Sequence, residues 1–159
     1  MGVCDIGFNT CDLFAVRAGE VLSRWTGGES VALRRALEIL QERLYRSHGV
    51  LFSLHELDVE GILWKPQPRL HLATGMVDLK EDREQAIRTV AGDIIAFLER
   101  TWAGGRHFSY ILLTGGGSVV FHDVLQRYFG GLAVSLPDAL TANAQGLARY
   151  AARLAARVR

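Results

Sequence analysis

The sequence predicts an α/β domain on one mixed sheet: a three-strand antiparallel meander joined to two parallel strands, flanked by helices and interrupted by a small insertion. Three observations predict it. Val3 to Val16 reads as two strands joined by a tight polar loop. Two later stretches, Val31–Tyr45 and Ala86–Leu98, repeat apolar residues at helical spacing. The second half runs strand, helix, strand, helix, an order that makes neighbouring strands parallel through crossover helices.

A chain of 159 residues is the size of one domain and can bury a sizeable core. Apolar residues make up 49% with only 3 prolines, so the chain is globular rather than disordered. The formal net charge of +1 argues against nucleic-acid or membrane-surface binding driven by bulk charge. No apolar run approaches the roughly 20 residues that span a bilayer, and the N-terminus lacks the basic stretch of a signal peptide. A cytoplasmic protein is therefore expected. Cys4 and Cys11 lie on adjacent strands without CxxC spacing or a histidine cluster, which fits small buried thiols in a reducing compartment better than zinc.

The first strand ends at Asp5, the loop covers Gly7, Phe8, Asn9 and Thr10, and the second strand begins near Cys11. Arg17-Ala18-Gly19-Glu20 is a turn and Val21–Trp25 a third strand. Weak alternation places the first strand at the centre, buried on both faces, with helices on both sides of the sheet. Gly27-Gly28 breaks the pattern, and Ser30 or Glu29 can cap a helix carrying Val31, Leu33, Ala36, Leu37, Leu40, Leu44 and Tyr45, which stops by Gly49. Val59–Trp64 and Leu70–Thr74 read as short strands around Lys65-Pro66-Gln67-Pro68. Asp78 can cap a long helix with Ala86, Ile87, Val90, Ile94, Phe97 and Leu98 inward, ending before Gly104-Gly105. Ser109–Leu113 is a strand running straight into Thr114-Gly115-Gly116-Gly117-Ser118, followed by a helix over Val119–Tyr128. Leu132–Leu136 is the last strand, and Pro137-Asp138 opens a final helix reaching Val158.

Two glycine-bearing loops follow strands that should be neighbours, and in open α/β sheets ligands sit beyond such strand ends. Gly7 permits positive φ and close backbone approach, successive amides of the turn form an anion cradle, and Asn9 and Thr10 add side-chain donors. Asp5 would repel a phosphate unless a cation lay between them, and Mg²⁺ suits that place. The same residues also build a plain hairpin turn, and short glycine motifs often match by chance. Gly115, Gly116 and Gly117 remove side chains where a flat or polyanionic ligand could meet the backbone, beside a helix N-terminus.

On these residues the chain resembles a known superfamily. D-I-G-F-N-T-C-D resembles the second phosphate motif of the actin, Hsp70 and sugar-kinase ATPases, roughly DxGxxTxD, and T-G-G-G-S resembles their adenosine motif. T-G-G-E-S is similar to the glycine pair these proteins place after the third strand. A-L-T-A-N-A-Q-G-L, with Ala144 and Gly146, resembles the helix that packs against the other half of the molecule. The short excursion from Val50 to Trp102 is most similar to bacterial plasmid-segregation actins of the ParM (StbA) type and their archaeal actin-like relatives. The resemblance implies a ribonuclease-H-like sheet, with 1–49 and 103–159 as subdomain IIA and 50–102 as a small inserted subdomain IIB. It also implies the second, C-terminal half of a two-half protein, because Asp12 stands where the first phosphate motif usually carries lysine or glutamine. The N-terminal half is absent, so the chain is expected to be a piece of a longer protein, a shortened reading frame or one part of a split protein.

The resemblance implies roles residue by residue. Asp5 would hold Mg²⁺ through water and, with Thr10, serve the catalytic region. Gly7, Phe8, Asn9 and Thr10 would contact the phosphates of ATP or ADP. Gly115, Gly116 and Gly117 would let adenosine lie against the backbone, with Val120 or Phe121 beside the base and Glu29 and Glu60 near ribose or base. The complete protein would be an ATPase whose identical subunits form filaments, in DNA or plasmid segregation or a cytoskeletal role. With half a cleft, clamping and water exclusion are lost, so this chain alone is expected to bind nucleotide weakly, if at all, without turning it over.

Two other readings stand beside it. The chain can be an assembly module without ATP turnover, since head-to-tail contacts build filaments on their own. A ribonuclease-H-like nuclease needs several carboxylates on two metal ions, and Asp5 has no acidic partner on the Tyr110–Leu113 strand. The five histidines lack ligand spacing, and Trp25, Trp64 and Trp102 flank element ends as packing anchors. Ser118 reads as a helix cap, because G-G-G-S lacks the G-x-S-x-G elbow. Arg149–Arg159 reads as a solvated face or a contact with the absent half.

Overall fold

The computed structural model describes residues 1–49, 51, 53, 60–73 and 75–157. β1 (Gly2–Ile6) and β2 (Cys11–Arg17) form the expected hairpin, closed by the Gly7 N–H donating to the Thr10 carbonyl at 2.8 Å. The third strand is split. β3 (Glu20–Val21) pairs with the Val16–Arg17 end of β2, a 3-10 turn occupies Ser23–Trp25, and β4 (Gly27–Glu29) pairs with Cys11–Leu13. The glycine pair read as a break is thus itself strand. A Cβ on Gly27 would sit 3.3 Å from the Phe97 ring and one on Gly28 2.6 Å from Asp12 Oδ1, so glycine is what lets β4 close against β2.

α1 (Leu33–His48) starts later than Val31, and Ser30 does not cap it. Ala32 holds the cap position without a side-chain bond, and the Arg34 N–H donates to the Phe8 carbonyl at 2.8 Å, so the β1–β2 loop satisfies the helix start. The expected strand at Val59–Trp64 is a π-helical turn over Glu60–Trp64, with Val59 outside the described residues. Adjacent Ile62 and Leu63 are both buried, which a helical turn delivers and an alternating half-buried strand does not. β5 (Arg69–Leu72) and β6 (Gly75–Asp78) form a separate hairpin; Thr74, assigned to the strand from sequence, lies outside the described residues.

α2 (Lys80–Trp102) is the long helix, and Asp78 Oδ1 accepts the Lys80 N–H at 2.9 Å although Leu79 holds the cap position. β7 (Ile111–Thr114) leads into α3 (Gly116–Tyr128), which begins within the glycine run rather than at Val119. β8 (Ala133–Ser135) is shorter than expected, and α4 (Ala142–Arg157) begins only after Asp138 has accepted a hydrogen bond from the Thr141 hydroxyl.

The main sheet runs β3-β2-β1-β7-β8 with β4 also on β2; β1 is parallel to β7 and β7 to β8. The meander plus parallel pair therefore stands as predicted. Cys4, Ile6, Cys11, Leu13, Ala15, Ile111, Leu113 and Ala133 share one sheet face and are buried with the inward residues of α1, α2 and α3 in a single core. The other face differs from expectation. Val3, Asp5 and Leu112 are half-buried there, Phe14 and Val134 are exposed, and the start of α4 reaches this face where Asn143 donates to Asp5. No helix among the described residues is long and apolar enough to cross a membrane.

Candidate functional site

β1 and β7 run parallel with Asp5 beside Thr114, so the loops that follow them leave the same end of the sheet. Between them lies a cavity of about 490 Å³, within the roughly 300–1,000 Å³ of small-molecule sites. Asp5, Gly7, Phe8, Thr10, Gly115 and Gly116, all named from sequence, line it. Asp12, Leu33, Trp64, Leu140 and Asn143 line it as well.

The polar groups are tied together in pairs. Asn143 Nδ2 on α4 donates to Asp5 Oδ2 at 2.7 Å, and the Thr10 hydroxyl donates to Asp12 Oδ2 at 3.0 Å. Asp5 and Asp12 are register partners across β1 and β2, so both carboxylates project from one face. Asp5 thus has an acidic neighbour on β2 and a threonine, not an acid, beside it on β7. The Thr10 hydroxyl proton is engaged by Asp12 and the Gly7 N–H by Thr10, so neither is the free phosphate donor expected of it.

The glycines divide their work. Gly115 takes φ 82° and ψ 160°, and a Cβ there would overlap the Asp5 carboxylate and the Ile6 carbonyl. A Cβ on Gly117 would overlap the Ile6 side chain, and Gly117 does not line the cavity. Both therefore let the β7–α3 turn close on the end of β1. Gly116 is the position that faces the cavity across from Leu140 and Trp64, with Cδ1 and Cζ2 at 3.1 and 3.8 Å from where its Cβ would be. The positive φ offered at Gly7 is used at Gly115 instead.

Other residues expected in the site are elsewhere. Asn9 lines a different hollow with Ser30, Arg34, Arg35 and Glu38. Phe121 is wholly buried and Val120 nearly so; both belong to the core under the sheet rather than to the cavity wall. The Glu29 carboxylate is ion-paired with Arg100 at 2.5 Å and does not line the cavity. Glu60 opens the π-helical turn, and its side chain lies outside the described residues. Ser118 donates back to the Gly115 carbonyl at 2.7 Å and is buried, a role inside the helix start rather than a nucleophile's.

Beneath the loop, Cys4 and Cys11 are free and buried with their sulfurs 3.8 Å apart. That thiol–thiol hydrogen bond, followed by burial, pushes the Cys4 thiol well above its ordinary value, which keeps it protonated and unlike a metal ligand. Among the described residues no group of three or more His, Cys, Asp or Glu is placed to hold a metal alone. Two carboxylates at a rim, with room for a polyanionic ligand, fit the way Mg²⁺ is bound: through one or two carboxylates, waters and the ligand's phosphates.

A family model described as the archaeal actin homologue MreB-like, C-terminal, matches residues 3–127. No curated protein sequence matches the chain. The fold is similar to Ta0583, an archaeal actin homologue, at 20% identity and TM-score 0.84, covering 96% of this chain and 48% of that one. The same homologue in complex with ADP matches at 19% identity and TM-score 0.82, over 96% of this chain and 49% of that one. A ParM from a 15-stranded filament of Clostridium botulinum matches at 19% identity and TM-score 0.79, over 96% and 45%. The chain spans about half the length of these solved structures. With its sheet order and most of its length accounted for, this chain belongs to the family of archaeal MreB-like actin homologues, as their C-terminal domain.

Proposed function

We propose that the chain is the C-terminal nucleotide-binding half of an actin-like ATPase, taking ATP or ADP with Mg²⁺ in the cavity between the β1–β2 loop and the Gly115–Gly116 turn. The observation that carries this reading is the convergence of those two loops on one cavity with carboxylates at its rim and aromatic and aliphatic walls. The solved ADP complex of an archaeal homologue with the same fold supports it.

In this reading Asp5, steadied by Asn143, and Asp12, bonded by the Thr10 hydroxyl, would be the residues that hold Mg²⁺ at the rim. The loop from Gly7 to Thr10 passes the phosphates, and Gly116 leaves the backbone bare beside the nucleoside. Mg²⁺, when bound, supplies charge neutralisation of the phosphates. Phosphoryl transfer relies on positioning and electrostatic stabilisation from several sides, and this chain supplies one side. The half alone binds nucleotide weakly and does not hydrolyse it. The organisation we propose is a sheet-bearing unit, 1–49 and 103–159, carrying 50–102 as an insertion whose long helix α2 packs into the shared core.

The rest of the protein is a complementary N-terminal half, and the whole assembles as a filament in the cytoplasm, in segregation of DNA or a cytoskeletal role. The exposed apolar residues of α4 and the partly open sheet face support such a partner. They also favour a second reading, an assembly module that keeps the contacts without turnover.

Calorimetric titration of the chain with ADP and Mg²⁺, beside a phosphate-release assay with ATP, tests the proposal. Weak saturable ADP binding, lost in Asp5→Ala, with no release above buffer is the expected result. Absence of any binding would remove the nucleotide reading, and steady release abolished by Asp5→Ala would show the half to be a complete enzyme.

A further inference from the structure

Trp64 borders the cavity beside the bare backbone of Gly116. Its indole lines the wall, with Cζ2 3.8 Å from where a Gly116 side chain would begin. Its Nε1–H is buried and has no hydrogen-bond partner among the described residues. An indole nitrogen only donates, and a buried donor left without an acceptor costs about 1–3 kcal/mol.

The fold nevertheless anchors in the core the turn that carries the ring. Ile62 and Leu63 anchor the same π-helical turn in the core. The Arg83 guanidinium on α2 donates to the Leu63 carbonyl through both Nε and Nη2, at 2.9 and 2.5 Å. Burial lowers the Arg83 pKa from its ordinary value, so this clamp sits partly out of water. π-Helical turns are rare and are often found at functional sites.

Across Gly116 from Trp64 stands Leu140, while Asp5, Thr10, Asp12 and Asn143 supply the polar groups of the same cavity. An indole on a cavity wall can stack a planar heterocycle, and base–aromatic stacking is a strong, sequence-tolerant contact. We propose that Trp64 is the base-positioning residue of the site: the adenine of the nucleotide stacks against its indole beside Gly116. This rests on the nucleotide reading above and adds to it a residue that the two loop motifs do not contain.

The test uses the whole chain, titrated with ADP and Mg²⁺ while binding heat and tryptophan emission are followed together. Trp25 and Trp102 sit at the opposite end of β1, around Gly2 and Phe108, and should not report. Wild type and Trp25→Phe should both bind with a saturable change in emission. Trp64→Phe should keep most of the affinity, through its ring, and lose the emission change. Trp64→Ala should bind about tenfold more weakly. Melting curves check that it is folded, and Trp64→Phe decides the matter if it is not. Wild-type binding with unchanged affinity in Trp64→Ala and an emission change that survives in Trp64→Phe would overturn this assignment and leave the nucleotide site standing. Neither heat nor emission change in wild type would overturn the nucleotide reading itself, and this inference with it.

Discussion

Asp5 and Asp12 face one another across the β1–β2 ladder, two carboxylates on one sheet face at the mouth of one cavity. Like charges directly opposite on neighbouring strands destabilise by about 0.2–1 kcal/mol. Each has a neutral donor, Asn143 or Thr10, and neither has an ion-pair partner among the described residues. Asp12→Asn should therefore raise the melting temperature of the ligand-free chain by about 1–4 °C. Mg²⁺ should stabilise wild type more than this variant, since it screens a repulsion the variant lacks. Scanning calorimetry with and without Mg²⁺ checks both, and an equal Mg²⁺ response in the two proteins would mean the pair does not share a cation.

Gly115 combines a glycine-only backbone conformation with direct contact on β1. Backbone in that region costs other residues about 1–3 kcal/mol, and the overlap of a Cβ with Asp5 and Ile6 adds to it. Gly19, with φ 83°, has nothing within 4 Å of a Cβ, so Gly19→Ala carries backbone strain alone. Urea unfolding should show Gly115→Ala losing clearly more stability than Gly19→Ala. Equal losses would mean that the β7–α3 turn moves away from β1 at little cost.

The difference between those glycines shows what the sequence could and could not carry. The β1–β2 hairpin, the Gly115 turn and the long helices were legible because their signals are local: a tight polar loop, a strand running into glycines, apolar residues at helical spacing. From Gly7–Thr10 as a closed hairpin loop, the Asp5–Asp12 register also follows, so Asp12 could have been placed in the site. The split third strand could not, because Gly27-Gly28 is shaped by Phe97 and Asp12, contacts invisible to a local reading. Asn143 reaches Asp5 across a separation of 138 residues, and Trp64 reaches Gly116 from a π-helical turn that resembled a strand. Val120 and Phe121 fall on the buried face of α3 with Gly117 and Leu125, a face the glycine motif alone does not assign.

Tyr128 ties α3 to α2 through a hydrogen bond to Glu99. Burial first, and then that bond and the Glu99 charge, raise its pKa to about 12, with Arg106 acting in the opposite direction. The fold thus favours the neutral phenol over the unfolded chain, whose ordinary value is 10.0. The associated stability is fully present below about pH 10 and is lost as pH rises through about 12. Denaturant midpoints of wild type and Tyr128→Phe should differ by a constant amount at neutral pH and converge in that alkaline window. Parallel curves up to pH 12 would show that the phenol is not held neutral by the fold.

On α4, Leu147, Tyr150 and Leu154 stand on one side of the helix at 70%, 62% and 44% exposure. Three large apolar side chains in a row on a long helix are unusual for a free surface, and the neighbouring sheet face leaves Phe14 and Val134 exposed as well. Burying each such side chain is worth about 1.5–3 kcal/mol, so the stripe should drive association whenever no complementary half covers it. Sedimentation velocity should show the chain associating with rising concentration, and Leu147→Gln with Leu154→Gln should return it to monomer. Because both substitutions lie on an exposed surface and glutamine is a good helix former, circular dichroism and melting temperature should stay close to wild type. A chain that is monomeric throughout, with or without the substitutions, would mean that α4 is covered in some other way and that the stripe is not where the partner half sits.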